Sequence, residues 1–234
     1  MTGSKLPTAN QAAVDAFLAQ VRAAPKQAAA SARGRLIFAL DATQSRQPTW
    51  DQAARLQADM FREAGSLGGL DLQLVYYRGF LEFFASPWIA DSEALLRHMT
   101  GVGCRGGQTQ IERVLTHAVD EAKARRVAAL VFVGDAFEED LDQVCRKAGE
   151  LGLLGVPAFV FHEGGGAGPA RAFQEIARLT RGAYCPFDAG SAKQLRELLA
   201  AVAVYAAGGR AALEHHARKA GGAAALLTHR LSER

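Results

Sequence analysis

The sequence has few cysteines, no long hydrophobic run and almost no net charge, and each absence excludes a class of protein. Three scattered cysteines among 234 residues form no C-x-x-C pair, which argues against a disulfide framework and a cysteine-ligated zinc site. No apolar run approaches the roughly 20 residues that a membrane-spanning helix requires. Because the net charge is only +3, we expect neither nucleic acid nor a membrane as a partner.

The two ends of the chain differ from its middle in composition. Residues 1–33 are polar and rich in alanine without an apolar signal core, and we therefore expect a cytoplasmic location. We predict a helical and linker extension at 1–33, one α/β domain at 34–207, and a basic, partly helical tail at 208–234. With 49% hydrophobic residues, the chain can form one sizeable core.

Hydrophobic periodicity predicts alternating strands and helices. Continuous apolar runs at 36–40 and 127–133 indicate strands that are buried on both faces. Residues 70–77 alternate as a strand, and the short return through 80–83 requires an antiparallel hairpin. Further strands are predicted at 156–161 and 183–187, and helices at 49–64, 91–99, 109–125, 138–151, 169–179 and 191–207. This order predicts an α/β fold with a doubly wound, mostly parallel sheet, one antiparallel edge strand and helices on both faces.

Oxygen-bearing side chains follow the two most apolar strands. Asp41, Thr43 and Ser45 follow the first, Asp135 follows the second, and Thr109 opens a helix after a glycine-rich loop. In an extended segment, residues at i, i+2 and i+4 point the same way, so the first three are expected to face one pocket. Neighbouring strand ends would bring the two acids together. Carboxylates and hydroxyls suit a hard cation, Mg²⁺ first and Mn²⁺ or Ca²⁺ after it.

This arrangement resembles the metal-ion-dependent adhesion site (MIDAS) of von Willebrand factor A (VWA) domains, which carries D-x-S-x-S, then a threonine, then an aspartate. The resemblance covers about residues 34–207, and its one departure is Thr43 in place of the first serine. It implies a non-enzymatic, metal-dependent protein-binding module, in which an Asp or Glu of the partner completes the coordination. Small stand-alone bacterial members often assist AAA-type ATPases or larger complexes, so a partner of that kind is implied as one candidate.

Each part of the motif also has a simpler structural interpretation. Residues 41–45 could form only a turn whose side chains bond the backbone. Thr109 could cap its own helix through a capping box with Glu112, and Asp135 could cap the next helix, with 138–140 in its first turn. We expect His162 and Glu163, which precede a glycine run, to lie in a flexible loop.

Two other functions remain open at this point. An aspartate at a strand end beside Mg²⁺ is also where aspartyl-phosphate chemistry begins, so a metal-dependent phosphoesterase or phosphoacceptor is one alternative. It lacks a second acid two residues after Asp41, where Thr43 stands, and no lysine clamp is evident. The other alternative is a metal-free VWA scaffold that binds its partners through helix surfaces.

Overall fold

The computed structural model describes residues 16, 17, 19–21, 23, 33–47, 70–91, 94, 97, 98, 101–187 and 200–206. The predicted helix at 49–64, most of those at 91–99 and 191–207, and the tail at 208–234 lie outside the described residues. Within the part that is described, no helix is both long and apolar enough to cross a bilayer.

The described strands form one six-stranded sheet in the order β3-β2-β1-β4-β5-β6. Every neighbouring pair is parallel except β2 and β3, which form the antiparallel hairpin at one edge. The predicted α/β sheet with one antiparallel edge strand is therefore confirmed. The strands are β1 (Gly34–Asp41), β2 (Leu70–Arg78), β3 (Glu82–Ala85), β4 (Ala129–Gly134), β5 (Ala158–Glu163) and β6 (Ala183–Phe187).

Apolar side chains cover both faces of this sheet. Along β1, alternate residues enter opposite cores: Phe38 lies in one cluster, and Ile37 lies in the other with residues of the three helices that follow. This alternation is the reason why β1 is apolar at every position from 36 to 40. The helices are α1 (Ile111–Ala124), α2 (Leu141–Leu153) and α3 (Ala167–Leu179).

Part of the predicted N-terminal extension packs on the sheet. Residues 16, 17, 19–21 and 23 are helical, and Phe17 and Val21, one helical turn apart, are fully buried. The Phe17 ring lies 5.2 Å from that of Phe161 and 6.2 Å from that of Phe159, centroid to centroid. This part of the extension therefore contributes to the core, while the domain limits at 33 and 207 stay predictions.

Two helices begin later than the sequence pattern predicts, and both differences affect the candidate site. Helix α1 begins at Ile111 rather than Thr109, and α2 begins at Leu141 rather than Glu138. The start of α2 is set by Asp140, whose side chain accepts a hydrogen bond from the backbone N–H of Gln143 at 2.9 Å. Residues 138 and 139 thereby remain in the loop after β4, where their side chains can reach α1.

Candidate metal centre

A tight turn at the end of β1 brings the first three candidate ligands together. Asp41 is fully buried, and its Oδ1 accepts a hydrogen bond from the backbone N–H of Thr43 at 2.8 Å. The hydroxyl oxygens of Thr43 and Ser45 lie 3.1 Å apart. Residues Gln44–Arg46 form a short 3-10 helix, so a turn, and not the extended segment expected from the spacing, makes the three side chains converge. Ser45 is exposed, which leaves this end of the pocket open to solvent.

The second oxygen of Asp41 is held by a tyrosine that sequence reasoning did not identify. Asp41 lies opposite Tyr77 in the parallel register of β1 and β2, and the Tyr77 hydroxyl donates to Asp41 Oδ2 at 2.9 Å. The Thr43 N–H and the Tyr77 hydroxyl together fix the plane of the carboxylate. The sequence pattern identified Tyr77 only as a strand residue, because such a pattern does not predict the direction of a tyrosine hydroxyl.

The second acid, Asp135, lies close to Asp41 across the β1–β4 pair. Gly134 permits this approach, because a Cβ there would lie 2.8 Å from the Phe132 ring and 3.3 Å from Asp41 Cβ. Burial raises the pKa of Asp41, and the negative charge of Asp135 raises it further, against the hydrogen bonds from Thr43 and the charge of Arg46. Among the described residues, Asp135 Oδ1 is buried and has no hydrogen-bond partner.

Thr109 is joined to the Asp135 loop through Glu138. The Thr109 hydroxyl accepts a hydrogen bond from the backbone N–H of Glu138 at 3.0 Å, and the Thr109 N–H donates to Glu138 Oε2 at 3.3 Å. Within the described residues, no hydrogen bond joins Thr109 to Asp41, Thr43 or Ser45. A hydroxyl oxygen has two lone pairs, so one of them remains for a cation or a water molecule.

The two helix-capping interpretations of the motif are wrong. Helix α1 is capped by Glu139, whose carboxylate accepts hydrogen bonds from the N–H groups of Ile111 at 2.6 Å and Glu112 at 2.8 Å, and not by Thr109. Helix α2 is capped by Asp140 and not by Asp135. The loop after β4 is thereby fastened to the start of α1, because an acid at a helix N-terminus satisfies its unpaired N–H groups.

A buried ion pair lies directly behind the Asp41 turn. Arg46 is almost fully buried, and its Nε donates to Glu163 Oε2 at 2.9 Å while Nη1 donates to the Asp41 carbonyl oxygen at 2.7 Å. The prediction of a flexible loop at His162 and Glu163 is wrong, since they are the last two residues of β5 and both are buried. His162 Nδ1 and the Tyr184 hydroxyl are hydrogen-bonded at 2.9 Å. Glu163 offsets part of the charge of Arg46, which also acts on the carboxylate of Asp41.

The donor set around Asp41 suits a hard cation. Two carboxylates and the hydroxyls of Thr43 and Ser45 lie at the Asp41 turn, and the Thr109 hydroxyl is joined to the Asp135 loop through Glu138. One carboxylate oxygen is buried without a partner in the described structure, and Ser45 is exposed. Within the described residues, no three His, Cys, Asp or Glu side chains are grouped so that they could hold a metal. Burial raises the pKa of the nearby Cys104 thiol to about 11, so it stays protonated at neutral pH.

Solved structures with VWA domains share this fold. The von Willebrand factor type A protein from Catenulispora acidiphila is 15% identical with a TM-score of 0.59, covering 74% of this chain and 43% of that one. The SpRpn10 VWA domain is 13% identical with a TM-score of 0.58, covering 74% of this chain and 94% of that one. Proximal thread matrix protein 1 from the mussel byssus, with a zinc-occupied MIDAS motif, is 16% identical with a TM-score of 0.60, covering 74% and 48%.

These similarities establish the fold of the chain, which is that of a VWA domain. The chain spans less than half of the length of the Catenulispora and mussel proteins. No family model matches the sequence, and no curated protein is similar to it. Function therefore has to be argued from the site itself.

Proposed function

We propose that this chain is a metal-dependent protein-binding module. Asp41, Thr43, Ser45, Thr109 and Asp135 hold one divalent cation, directly or through water, and a carboxylate of the partner completes its coordination. The observation that carries the proposal is Asp135 Oδ1, which is buried without a hydrogen-bond partner in the described structure and lies beside another buried acid. Two carboxylates held together in this way are unfavourable unless a cation lies between them or one of them takes up a proton.

The donor set favours Mg²⁺, with Mn²⁺ or Ca²⁺ as alternatives, because all of its atoms are oxygens. Two carboxylates balance a dication, but they leave it able to attract a further anionic ligand from the exposed Ser45 side. A zinc ion occupies the MIDAS motif of the mussel protein, which supports a divalent cation at this position of the fold. The partner would offer an Asp or Glu, and an AAA-type ATPase or a larger cytoplasmic complex is one candidate.

The geometry gives less support to a phosphoesterase or phosphoacceptor. A nucleophilic aspartate must be reached by a whole phosphoryl group, which is much larger than a cation. Asp41 is instead fully buried, and each of its oxygens accepts a hydrogen bond, one from Thr43 and one from Tyr77. We therefore propose a role in binding rather than in catalysis. The metal-free scaffold is the remaining competitor, and ion binding separates the two.

Mg²⁺ and Mn²⁺ should be titrated calorimetrically into protein stripped with EDTA, and thermal unfolding should be followed at each concentration. We expect one ion per chain, and stabilisation of about 2.7 kcal/mol when the free ion is at 100 times its dissociation constant. The variant Asp135→Asn should lose the ion-dependent stabilisation, yet be at least as stable as the parent without ion, because it removes the repulsion of Asp41.

Asp71→Asn is the matched control. Asp71 is a half-buried acid near the start of β2. It therefore lies at the end of the strands opposite to the candidate site, and it pairs with Arg33 at 2.7 Å. This variant should bind the ion like the parent. If neither ion binds nor raises the melting temperature of the parent protein, the metal-dependent module is wrong, and the metal-free scaffold takes its place.

A further inference from the structure

The tip of the β2–β3 hairpin carries two adjacent apolar side chains in solvent. Phe80 is 71% exposed and Leu81 is 83% exposed. Elsewhere among the described residues, the exposed large hydrophobic side chains are Leu153, which ends α2 and is 91% exposed, and the adjacent Leu154, which is 42% exposed. Exposed apolar side chains next to a polar site are typical of protein interaction surfaces.

The hairpin tip lies at the same end of the strands as the candidate metal centre. Tyr77, which is hydrogen-bonded to Asp41, precedes Phe80 by three residues. Beyond Tyr77, the backbone of Gly79 packs directly against that of Gly107. A Cβ on Gly107 would come within 1.9 Å of the Gly79 carbonyl oxygen. The next residue, Gln108, donates its N–H to that oxygen at 3.3 Å and directly precedes Thr109. The tip therefore packs against the loop that supplies a candidate ligand.

Hydrogen bonds from α1 and from the residue that precedes it hold the backbone of the tip, while the side chains of Phe80 and Leu81 remain in solvent. Arg113 Nη1 donates to the Leu81 carbonyl oxygen at 3.0 Å, and Gln110 Nε2 donates to the Glu82 carbonyl oxygen at 3.3 Å. The Arg113 guanidinium also lies over the Phe83 ring, 4.7 Å from its centroid. A surface that is already ordered loses less entropy when a partner binds.

The charges at the tip favour an acidic partner. Residues 78–85 of the hairpin contain one carboxylate, Glu82, and three arginines, Arg78, Arg105 and Arg113, donate hydrogen bonds to this segment. Glu82 accepts hydrogen bonds from Arg78 Nε at 2.6 Å and from Arg105 Nη1 at 3.2 Å. The hairpin tip thus has an excess of positive charge of its own, beside a cation that the two aspartates balance, and this excess complements a negatively charged segment.

We propose that Phe80 and Leu81 form the apolar half of the partner-binding surface, and that the partner presents an acidic segment in which an apolar side chain stands a few residues from the metal-binding Asp or Glu. The carboxylate would approach the cation, while the apolar side chain would cover the hairpin tip. This inference rests on the proposed function, and it adds the chemistry that selects one acidic segment over another.

Short peptides test the inference directly. The test peptides would be Gly/Ser-based, about ten residues long, and would carry one Glu with a Leu two, three or four positions away. One control series would have Ser in place of the Leu, and a second would have Gln in place of the Glu. Their dissociation constants would be measured by chemical-shift titration of ¹⁵N-labelled protein saturated with Mg²⁺. At the best spacing, we expect the Glu–Leu peptide to bind about tenfold more tightly than the Glu–Ser peptide, because the Leu side chain leaves water.

The double variant Phe80→Ser/Leu81→Ser should lose this tenfold gain and keep the Mg²⁺ affinity of the parent. Leu153→Ser, which replaces a 91% exposed leucine at the end of α2, is the matched control and should keep the gain. Equal affinities for the Glu–Leu and Glu–Ser peptides, or a gain that survives in the double variant, would overturn the inference alone. Absence of any Mg²⁺-dependent binding of the Glu peptides would overturn the proposed function as well.

Discussion

The hydroxyl of Tyr77 donates a hydrogen bond of 2.9 Å to Asp41 Oδ2, and both residues are fully buried. Burial raises the pKa of Tyr77 well above its ordinary value, and the charge of Asp41 adds to this rise, so the tyrosine stays a donor at every accessible pH. Since the Thr43 N–H holds the other oxygen, the carboxylate has one orientation before any cation arrives. Tyr77 is therefore a positioning residue for the candidate ligand Asp41.

Replacement of Tyr77 by Phe keeps the ring and removes only this hydrogen bond. We expect the free energy of unfolding to fall by about 1.5–3 kcal/mol, the range for a hydrogen bond to a charged group. Mg²⁺ affinity should fall roughly tenfold, because a ligand that loses its supporting contact is less well oriented. Calorimetric titration and urea unfolding measure the two effects. Tyr76→Phe, at a half-buried neighbour stacked on Phe84, is the control, and equal ion affinity in both variants would contradict the positioning role.

The sheet and the position of the candidate ligands could be predicted because they depend on local patterns. The apolar runs of β1 and β4 mark strands buried on both faces, and such strands pair at the centre of a doubly wound sheet. Asp41 ends β1 and Asp135 follows β4 directly, so the rule that ligands bind at the carboxyl ends of strands predicts that the two acids lie together.

The contacts behind the ligands could not be predicted, because they join residues far apart in the sequence through side-chain geometry. The Arg46–Glu163 ion pair spans 117 residues, and the glycines after Glu163 suggested a loop. The exchange of hydrogen bonds between Thr109 and Glu138 depends on where α2 begins, and helix ends are the least certain feature of a sequence pattern. Of these residues, only Glu163 could have been proposed from the sequence, because it lies at the carboxyl end of a strand, where ligands bind.

The raised pKa of Asp41 predicts how the stability of the ion-free protein depends on pH. The folded state retains the proton of Asp41 at a pH where the unfolded chain has released it, so this contribution to stability is present below the ordinary value of 3.8. It is lost as the pH rises through the raised folded pKa. Because Asp135 contributes to the rise, Asp135→Asn should move the loss to lower pH. Urea unfolding in EDTA across this range is the measurement, and an unchanged midpoint in the variant would count against the coupling.

Ion binding should have the opposite pH dependence. A cation requires the ionised carboxylate, so Mg²⁺ affinity should increase as the pH rises through the folded pKa of Asp41 and then become constant. Below that pKa, each pH unit should weaken binding by about tenfold, because one proton is displaced for each ion bound. A titration midpoint at or below 3.8 would show that Asp41 does not compete with protons in this way.

Glu139 and Asp140 are adjacent acids that cap different helices, and they allow a matched comparison. Glu139 caps α1 beside the Thr109 loop, whereas Asp140 caps α2. We expect Glu139→Ala and Asp140→Ala each to cost about 1 kcal/mol of stability. Only Glu139→Ala should also weaken Mg²⁺ binding, because it releases the Asp135 loop from α1. Equal Mg²⁺ affinities in calorimetric titrations of the two variants would show that this fastening does not matter to the site.

The Arg46–Glu163 pair predicts a loss of both stability and ion binding when its acid is neutralised. Arg46 is buried behind Asp41, and Glu163→Gln removes the carboxylate that compensates its charge, which should cost about 3 kcal/mol. The remaining positive charge should also repel the cation and lower Mg²⁺ affinity. Glu175→Gln breaks the exposed Arg178–Glu175 pair and should change neither property appreciably.

The second change Arg46→Met, added to Glu163→Gln, should restore much of the stability, since it removes the uncompensated charge. A double variant as unstable as Glu163→Gln alone would assign the loss to packing rather than to charge.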